Sequence, residues 1–262
     1  MKTVFGTKEW ASHNHNILTG CQHSCTYCFA QSMAVRFGRC TPDQWCKPVL
    51  NQKSFDKKWG KKKGTIMFPT THDIHPDNLP ECLETILKMA KPGNDLLIVS
   101  KPHISVIEKL CTELTAYRSQ ILFRFTIGSP NGDTLLLWEP GATTPQERIQ
   151  CLKLAFMSGY NTSVSMEPLL DTFDNIRFLI SEVMPYVTDA IWVGLPNFLM
   201  TRLVFNGRTD LKDHAEALLQ HWDHARVKHL WEVYNHNPTI KYKDSIKKIL
   251  GLEIPTQKGL DI

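Results

Sequence analysis

The chain has 262 residues, 42% of them hydrophobic and 21% charged, enough for the packed core of one large domain or two small ones. Its formal net charge is +4, only mildly basic. No run of about 20 apolar residues offers a membrane span, and residues 1–6 lack the apolar centre of a signal peptide. A cytoplasmic protein is expected, in a compartment where free thiols survive.

Residues 1–12 carry little pattern. His13-Asn14-His15-Asn16-Ile17-Leu18 reads as a short first strand. It leads into Gly20-Cys21-Gln22-His23-Ser24-Cys25-Thr26-Tyr27-Cys28-Phe29-Ala30, with cysteines spaced C-x3-C-x2-C. Thiolates packed that densely can converge on a metal or a cluster. Three ligands are one short of filling a four-iron cluster, which leaves one iron open to an outside ligand. The same loop also offers an ordinary zinc set: Cys21, Cys25, Cys28 and His23. The length of the chain and its scattered cysteines argue against a disulfide scaffold.

Residues 30–37 predict a helix that begins at the third cysteine and stops at Gly38, bringing free N–H groups close to sulfur. Residues 39–63 read as an irregular basic insertion. Cys40 and Cys46 lie in it without the neighbours a second metal site needs. Lys57, Lys58, Lys61, Lys62 and Lys63 surround Trp59 there, a run that suits phosphate contacts or a solvated loop.

The second strand is expected over 65–68, followed by the polar Thr70-Thr71-His72-Asp73 at the strand end where barrel enzymes keep their chemistry. Asn78 is placed to cap a helix over 79–90, with Cys82 on its buried side. Strand three, 96–100, ends at Lys101, and a helix over 104–117 follows, burying Cys111. In strand four, 121–127, Arg124 and Thr126 alternate with Phe123 and Phe125; an inward arginine needs an anionic partner or a ligand. The chain then turns through Ser129. Thr144, Pro145 and Glu147 mark a capped helix start, with a T-x-x-E box, running to about 158. Strand five, 162–166, ends at Glu167, and strand six, 190–193, ends at Gly194, with a helix over 175–184 between them. Helices over 211–229 and 244–250 close the sequence.

Six alternations of strand and helix mean a parallel sheet with right-handed crossovers. Periodicity fits a partial barrel or a flat doubly wound sheet equally. The expected organisation is a barrel over 1–230 and a C-terminal extension over 231–262.

The cysteine loop resembles the signature of the radical SAM superfamily, with Tyr27 as the aromatic residue before the third cysteine. Glu139-Pro140-Gly141-Ala142, Thr144-Pro145, Glu147-Arg148, Gly159 and Glu167-Pro168 resemble the branch holding spore photoproduct lyase-like and phage-associated proteins. Trp10-Ala11, Ala30, Asp73 and Ser100-Lys101-Pro102 are similar too, so the resemblance spans roughly residues 9–200. The sequence departs from many members at Thr70-Thr71-His72-Asp73, where they carry Gly-Gly-Glu.

The resemblance implies an α/β fold, a partial (β/α)6 TIM-like barrel, with a 4Fe–4S cluster on Cys21, Cys25 and Cys28. It implies S-adenosyl-L-methionine (SAM) as second cofactor, an external electron donor, and reductive cleavage of SAM to a 5′-deoxyadenosyl radical that abstracts hydrogen from a substrate. By the same resemblance Tyr27 lies near adenine, and Thr71 and Asp73 receive the SAM ammonium. Thr126 and Ser129 bind ribose, Glu167 and Gly194 border SAM, and Lys101, Arg124, Glu139 and Arg148 are candidates for carboxylate pairing. The branch implies a nucleic-acid base as substrate. A small metabolite or peptide is the enzymatic alternative, and a zinc-stapled nucleic-acid-binding module is the non-enzymatic one.

Overall fold

The computed structural model describes residues 3–259. Among them, one sheet is built from β1 (His13–Asn14), β2 (Ile66–Phe68), β3 (Leu96–Ser100), β4 (Ile121–Thr126), β5 (Asn161–Met166), β6 (Ile191–Val193) and β7 (Ile240–Tyr242). The strands lie side by side in chain order, all parallel, and the sheet is not closed. This is the expected partial barrel, with one strand more than expected. The region read as an extension supplies that strand: β7 pairs with β6 through Ile191 and Ile240. The sequence hides it because three residues, one of them the charged Lys241, carry too little alternation to read.

Side chains alternate between two faces along each strand. Ile66, Phe68, Leu96, Ile98, Phe123, Phe125 and Val164 join the main core with the surrounding helices. Met67, Leu97 and Trp192 form a second, smaller core on the inner face, with Trp10 and Ala11. The helices that cover the outer face are amphipathic. In α3 (Leu79–Ala90), Cys82, Ile86, Met89 and Ala90 are buried, and in α4 (Ile104–Glu113), Val106, Ile107, Leu110 and Cys111 are. In α6 (Pro145–Met157), Cys151, Leu152 and Ala155 are buried. These three cysteines are core residues, as spacing predicts for Cys82 and Cys111.

Two caps differ from expectation. Thr144 accepts the Glu147 N–H at 3.2 Å, but the Glu147 carboxylate accepts Ile104 N–H at 3.0 Å. The second half of the capping box therefore ties α6 to the start of α4. Asn78 does not cap α3; its side chain bridges the His75 N–H and the Asp73 carbonyl.

The stretch expected as irregular is partly ordered. Val49–Leu50 pairs antiparallel with Leu18–Thr19, and Gln52–Phe55 is one helical turn. A short helix, Thr7–Trp10, lies against the sheet at its β6 and β7 side. Lys243, just after β7, is fully buried and lies 2.8 Å from Glu9, while the Trp10 ring meets Trp192 edge-on at 5.8 Å. Among the described residues no helix is long and apolar enough to cross a membrane.

Candidate active site

The cysteine loop follows β1 at the C-terminal end of the sheet. Gly20 takes φ 102°, and a side chain there would strike the Trp45 carbonyl and Pro48, so the chain entering the loop needs a glycine. All eight cysteines are free thiols, with Cys21 and Cys25 buried and Cys28 half-buried. Cys28 caps α2 (Phe29–Arg36): its sulfur accepts Gln31 N–H at 3.4 Å, as the strand–loop–helix reading predicts.

Two distant segments clamp the loop. On one side, Thr26 N–H donates to the Trp138 carbonyl at 2.8 Å, and Gly141 N–H donates to the His23 carbonyl at 3.1 Å. A Cβ at Gly141 would collide with the Gln22 carbonyl, so this approach needs glycine. On the other side, Asn206 follows α8 (Leu199–Phe205), counting α5 as Gly132–Trp138 and α7 as Phe173–Val183. Its amide donates to the carbonyls of Thr26 at 2.8 Å and Cys28 at 3.1 Å and accepts from Ser32 at 2.9 Å. Sequence reasoning missed Asn206. Nothing local marks it, because its partners lie more than 170 positions earlier.

Burial pushes the Cys21 thiol up to about 12, with Asp73 and Cys28 adding to the shift. Burial likewise raises Cys25 and Cys28. Three thiolates in such a site require a compensating cation, which a metal cluster provides. The donor set fits one. Backbone N–H groups of His23, Ala30 and Gln31 face the sulfurs, and Cys21 and Cys28 interact electrostatically with Cys25. The zinc set fits less well. His23 Nδ1 lies 3.2 Å from Asp73 and its Nε2 lies 3.2 Å from His103 Nε2. Among the described residues, no three or more His, Cys, Asp or Glu side chains are grouped to hold a single ion. A cluster distributes its thiolates over separate irons, so they need not converge on one atom.

The other expected site residues collect at the strand ends, but several already have partners within the chain. Asp73 accepts from Ser100 Oγ, from Ile74 N–H at 2.8 Å and from Lys101 N–H at 2.9 Å, beside His23. Burial alone would raise its pKa; His23, Lys101 and Ser100 bring it well below the usual range. Its acceptor positions are filled, so the Asp73 side chain braces the site. Thr71 N–H donates to Asn16 at 2.9 Å, and Ser129 Oγ donates to Asp171 at 2.5 Å.

Arg124 finds its carboxylate within the chain. Its guanidinium bonds Ser163 and Asp189, both at 2.9 Å, between the rings of Trp10 and Trp192. It belongs to the inner core, near the N-terminal end of β6. Arg148 and Glu139 likewise pair with each other, at 2.6 Å with no exposure. Arg148 also donates to the carbonyls of Thr143 and Thr126, which fixes Thr126 through its backbone.

Tyr27 donates its phenol to the same Glu139. Lys101 completes this group, its ammonium 3.9 Å from Glu139 and 5.8 Å from the Tyr27 ring centre. Burial opposes the Lys101 charge, yet Cys25, Glu139 and Asp73 together hold its pKa above the ordinary value. Glu167 lies 3.8 Å from Lys243, and burial raises its pKa. Gly194 packs against both, leaving no room for a Cβ. Arg202 in α8 was not foreseen. It donates to the Tyr27 carbonyl at 3.4 Å and covers the Phe29 ring. Burial lowers its pKa, while Cys28 and Glu167 favour its charge.

No protein-family model matches the chain. It is similar to the uncharacterized protein ORF301 of Acidianus two-tailed virus, 22% identical over 195 residues, covering 68% of this chain and 64% of that one. It is also similar to the uncharacterized protein MJ0683 of Methanocaldococcus jannaschii, 23% identical over 174 residues and 65% of each chain. The match thus spans just under two thirds of either relative. Among solved structures, spore photoproduct lyase complexed with dinucleoside spore photoproduct superposes with a TM-score of 0.60 at 14% identity. The superposition covers 92% of this chain and 78% of that one. The chain shares the fold of spore photoproduct lyase. A variant of that lyase with bound AdoMet and the dinucleoside superposes with a TM-score of 0.58. The likeness to the lyase takes in more of the chain than the roughly 9–200 expected from sequence.

Proposed function

We propose that this protein is a radical SAM enzyme, with Cys21, Cys25 and Cys28 holding a 4Fe–4S cluster. The observation that carries the reading is the loop itself: three free, largely buried thiols at the C-terminal end of an open parallel barrel shared with spore photoproduct lyase. When bound and reduced by an external donor, the cluster supplies the electron that cleaves SAM to methionine and a 5′-deoxyadenosyl radical.

The chain's own residues bind, orient and shield. Trp138, Gly141 and Asn206 fix the loop backbone. Lys101 and Arg202 flank the cysteines with positive charge, which suits the SAM carboxylate. Glu139 and Asp73 neutralise the buried cations and N–H donors around them. Thr71, Thr126, Glu167 and Gly194 lie at the neighbouring strand ends and would border the nucleoside. Tyr27, buried and held by Glu139, would help shield the loop from water.

The substrate reading is a nucleic-acid base. The dinucleoside in the spore photoproduct lyase complex and the lysines around Trp59 support it. A base in a duplex would have to be flipped out or met unpaired.

Anaerobic protein incubated with SAM and a reductant is expected to release 5′-deoxyadenosine, and an added oligonucleotide is expected to change that rate. No 5′-deoxyadenosine from protein with an intact cluster would defeat the radical reading. Indifference to oligonucleotides would leave that reading in place and defeat the substrate class.

A further inference from the structure

A second site lies at the opposite end of the sheet. The segment before β2 and the start of β1 border a cavity of about 370 Å³. Lys8, Lys57, Lys62, Lys258 and His13 line it, and among the described residues no carboxylate does. That volume is within the range of ligand pockets.

The Lys57 ammonium and the backbone at Lys8 and Lys62 are held in place. Lys57 places its ammonium 4.1 Å from the Trp59 ring centre, and Trp59 is itself wedged against His15 at 4.9 Å. Lys62 N–H donates to Asn94 at 2.6 Å, His13 Nε2 lies 3.1 Å from the Lys63 carbonyl, and Gly259 N–H donates to the Lys8 carbonyl at 2.8 Å. Four ammonium groups around one concavity repel one another unless an anion lies between them. All four lysines are exposed, so an anion in this concavity would meet positive charge from several sides.

We propose that this cleft anchors the phosphodiester backbone of a single-stranded polynucleotide whose reacting base lies at the cysteine loop. The inference rests on the nucleic-acid part of the function proposed above and does not depend on radical chemistry. The two sites are at opposite strand ends. β3, five residues long at about 3.3 Å each, sets that separation at roughly 17 Å, several nucleotides of backbone. Only an extended strand reaches both.

The test is anisotropy of a fluorescent dodecathymidylate on the full-length, cluster-loaded protein at several salt concentrations. Lys57→Gln with Lys62→Gln removes two exposed charges. The double variant is expected to bind at least tenfold more weakly at 50 mM salt. Its slope of log affinity against log salt should be shallower by roughly 1.4, from about 0.7 per phosphate contact on a single strand. Trithymidylate should bind the parent much more weakly than the 12-mer. Unchanged affinity and slope in the variant would overturn the proposal. So would equal affinity for the two lengths, or competition by inorganic phosphate at concentrations matching the oligonucleotide, which would mark a free-anion site. Cleavage of SAM without nucleic acid is read in parallel and should be the same in variant and parent. Its loss in both would strike the radical chemistry alone.

Discussion

Glu139 Oε2 lies 2.6 Å from Arg148 Nη1, and both side chains are completely buried. The same carboxylate accepts the Tyr27 phenol, so the pair ties the start of α6 to the cysteine loop. Burial alone would raise the Glu139 pKa, but Arg148, Lys101 and Tyr27 bring it below its ordinary value. Glu139→Gln keeps the shape and leaves Arg148 charged without its counter-charge. The expected loss is about 3–5 kcal/mol, as for other broken buried pairs. Anaerobic urea unfolding measures it, and a loss under about 1 kcal/mol would contradict the role assigned to the pair.

His72 makes stability fall in acid. Its Nδ1 donates to the Asp73 carbonyl at 3.1 Å and its Nε2 accepts Ile17 N–H at 3.2 Å, which uses both nitrogens of a neutral ring. Protonation would set one N–H against another. Burial lowers its pKa to about 4, and burial together with Lys57 does the same for His15. A histidine depressed on folding contributes stability that is full above the unfolded value near 6.5. That stability is lost as pH falls from 6.5 towards 4. For His72 the loss at pH 5 is about 2 kcal/mol. Urea midpoints should drop between pH 7.5 and 5, and less so in His72→Gln. Parallel pH profiles for the two proteins would rule out this origin.

Asn206 should matter to the cluster more than to the fold. Asn206→Ala removes three hydrogen bonds and takes the amide donor from the Thr26 carbonyl in the cysteine loop, while the Cys28 carbonyl keeps Ser32. A cost of about 1–3 kcal/mol is expected, with less iron retained per chain. Iron and sulfide analysis after anaerobic gel filtration checks this; parent-level iron would show that the loop holds its shape unaided.

Cys25→Ala is expected to abolish cluster retention, while Cys40→Ser and Cys46→Ser should leave iron content at the parent level. Cys40 borders the small cluster around Cys21 and Trp45, and Cys46 is exposed. Unchanged iron in Cys25→Ala would contradict the ligand set.

Gly141→Ala probes the other clamp. The added methyl meets backbone of Gln22 and His23, which cannot rotate away as a side chain could. Overpacking of this kind costs about 1–3 kcal/mol. Iron retention should fall together with the thermal midpoint, and an unaltered midpoint would mean that the loop moves freely.

The sequence alone determined the parallel strands with their helices, the three-cysteine loop and the helix that starts on Cys28. Hydrophobic period, glycine stops and cysteine spacing are local signals, and each is written within a few residues. It also placed Asp73, Lys101, Ser129, Glu167 and Gly194 at strand ends. Only the tertiary structure decided the partners. Arg124 turns to Asp189, Arg148 to Glu139, and Glu147 to Ile104, because a buried charge or an unfilled N–H takes whichever complement the fold brings near. Asn206, Arg202 and the seventh strand came to light the same way, since their meaning lies in contacts with chain far away in sequence.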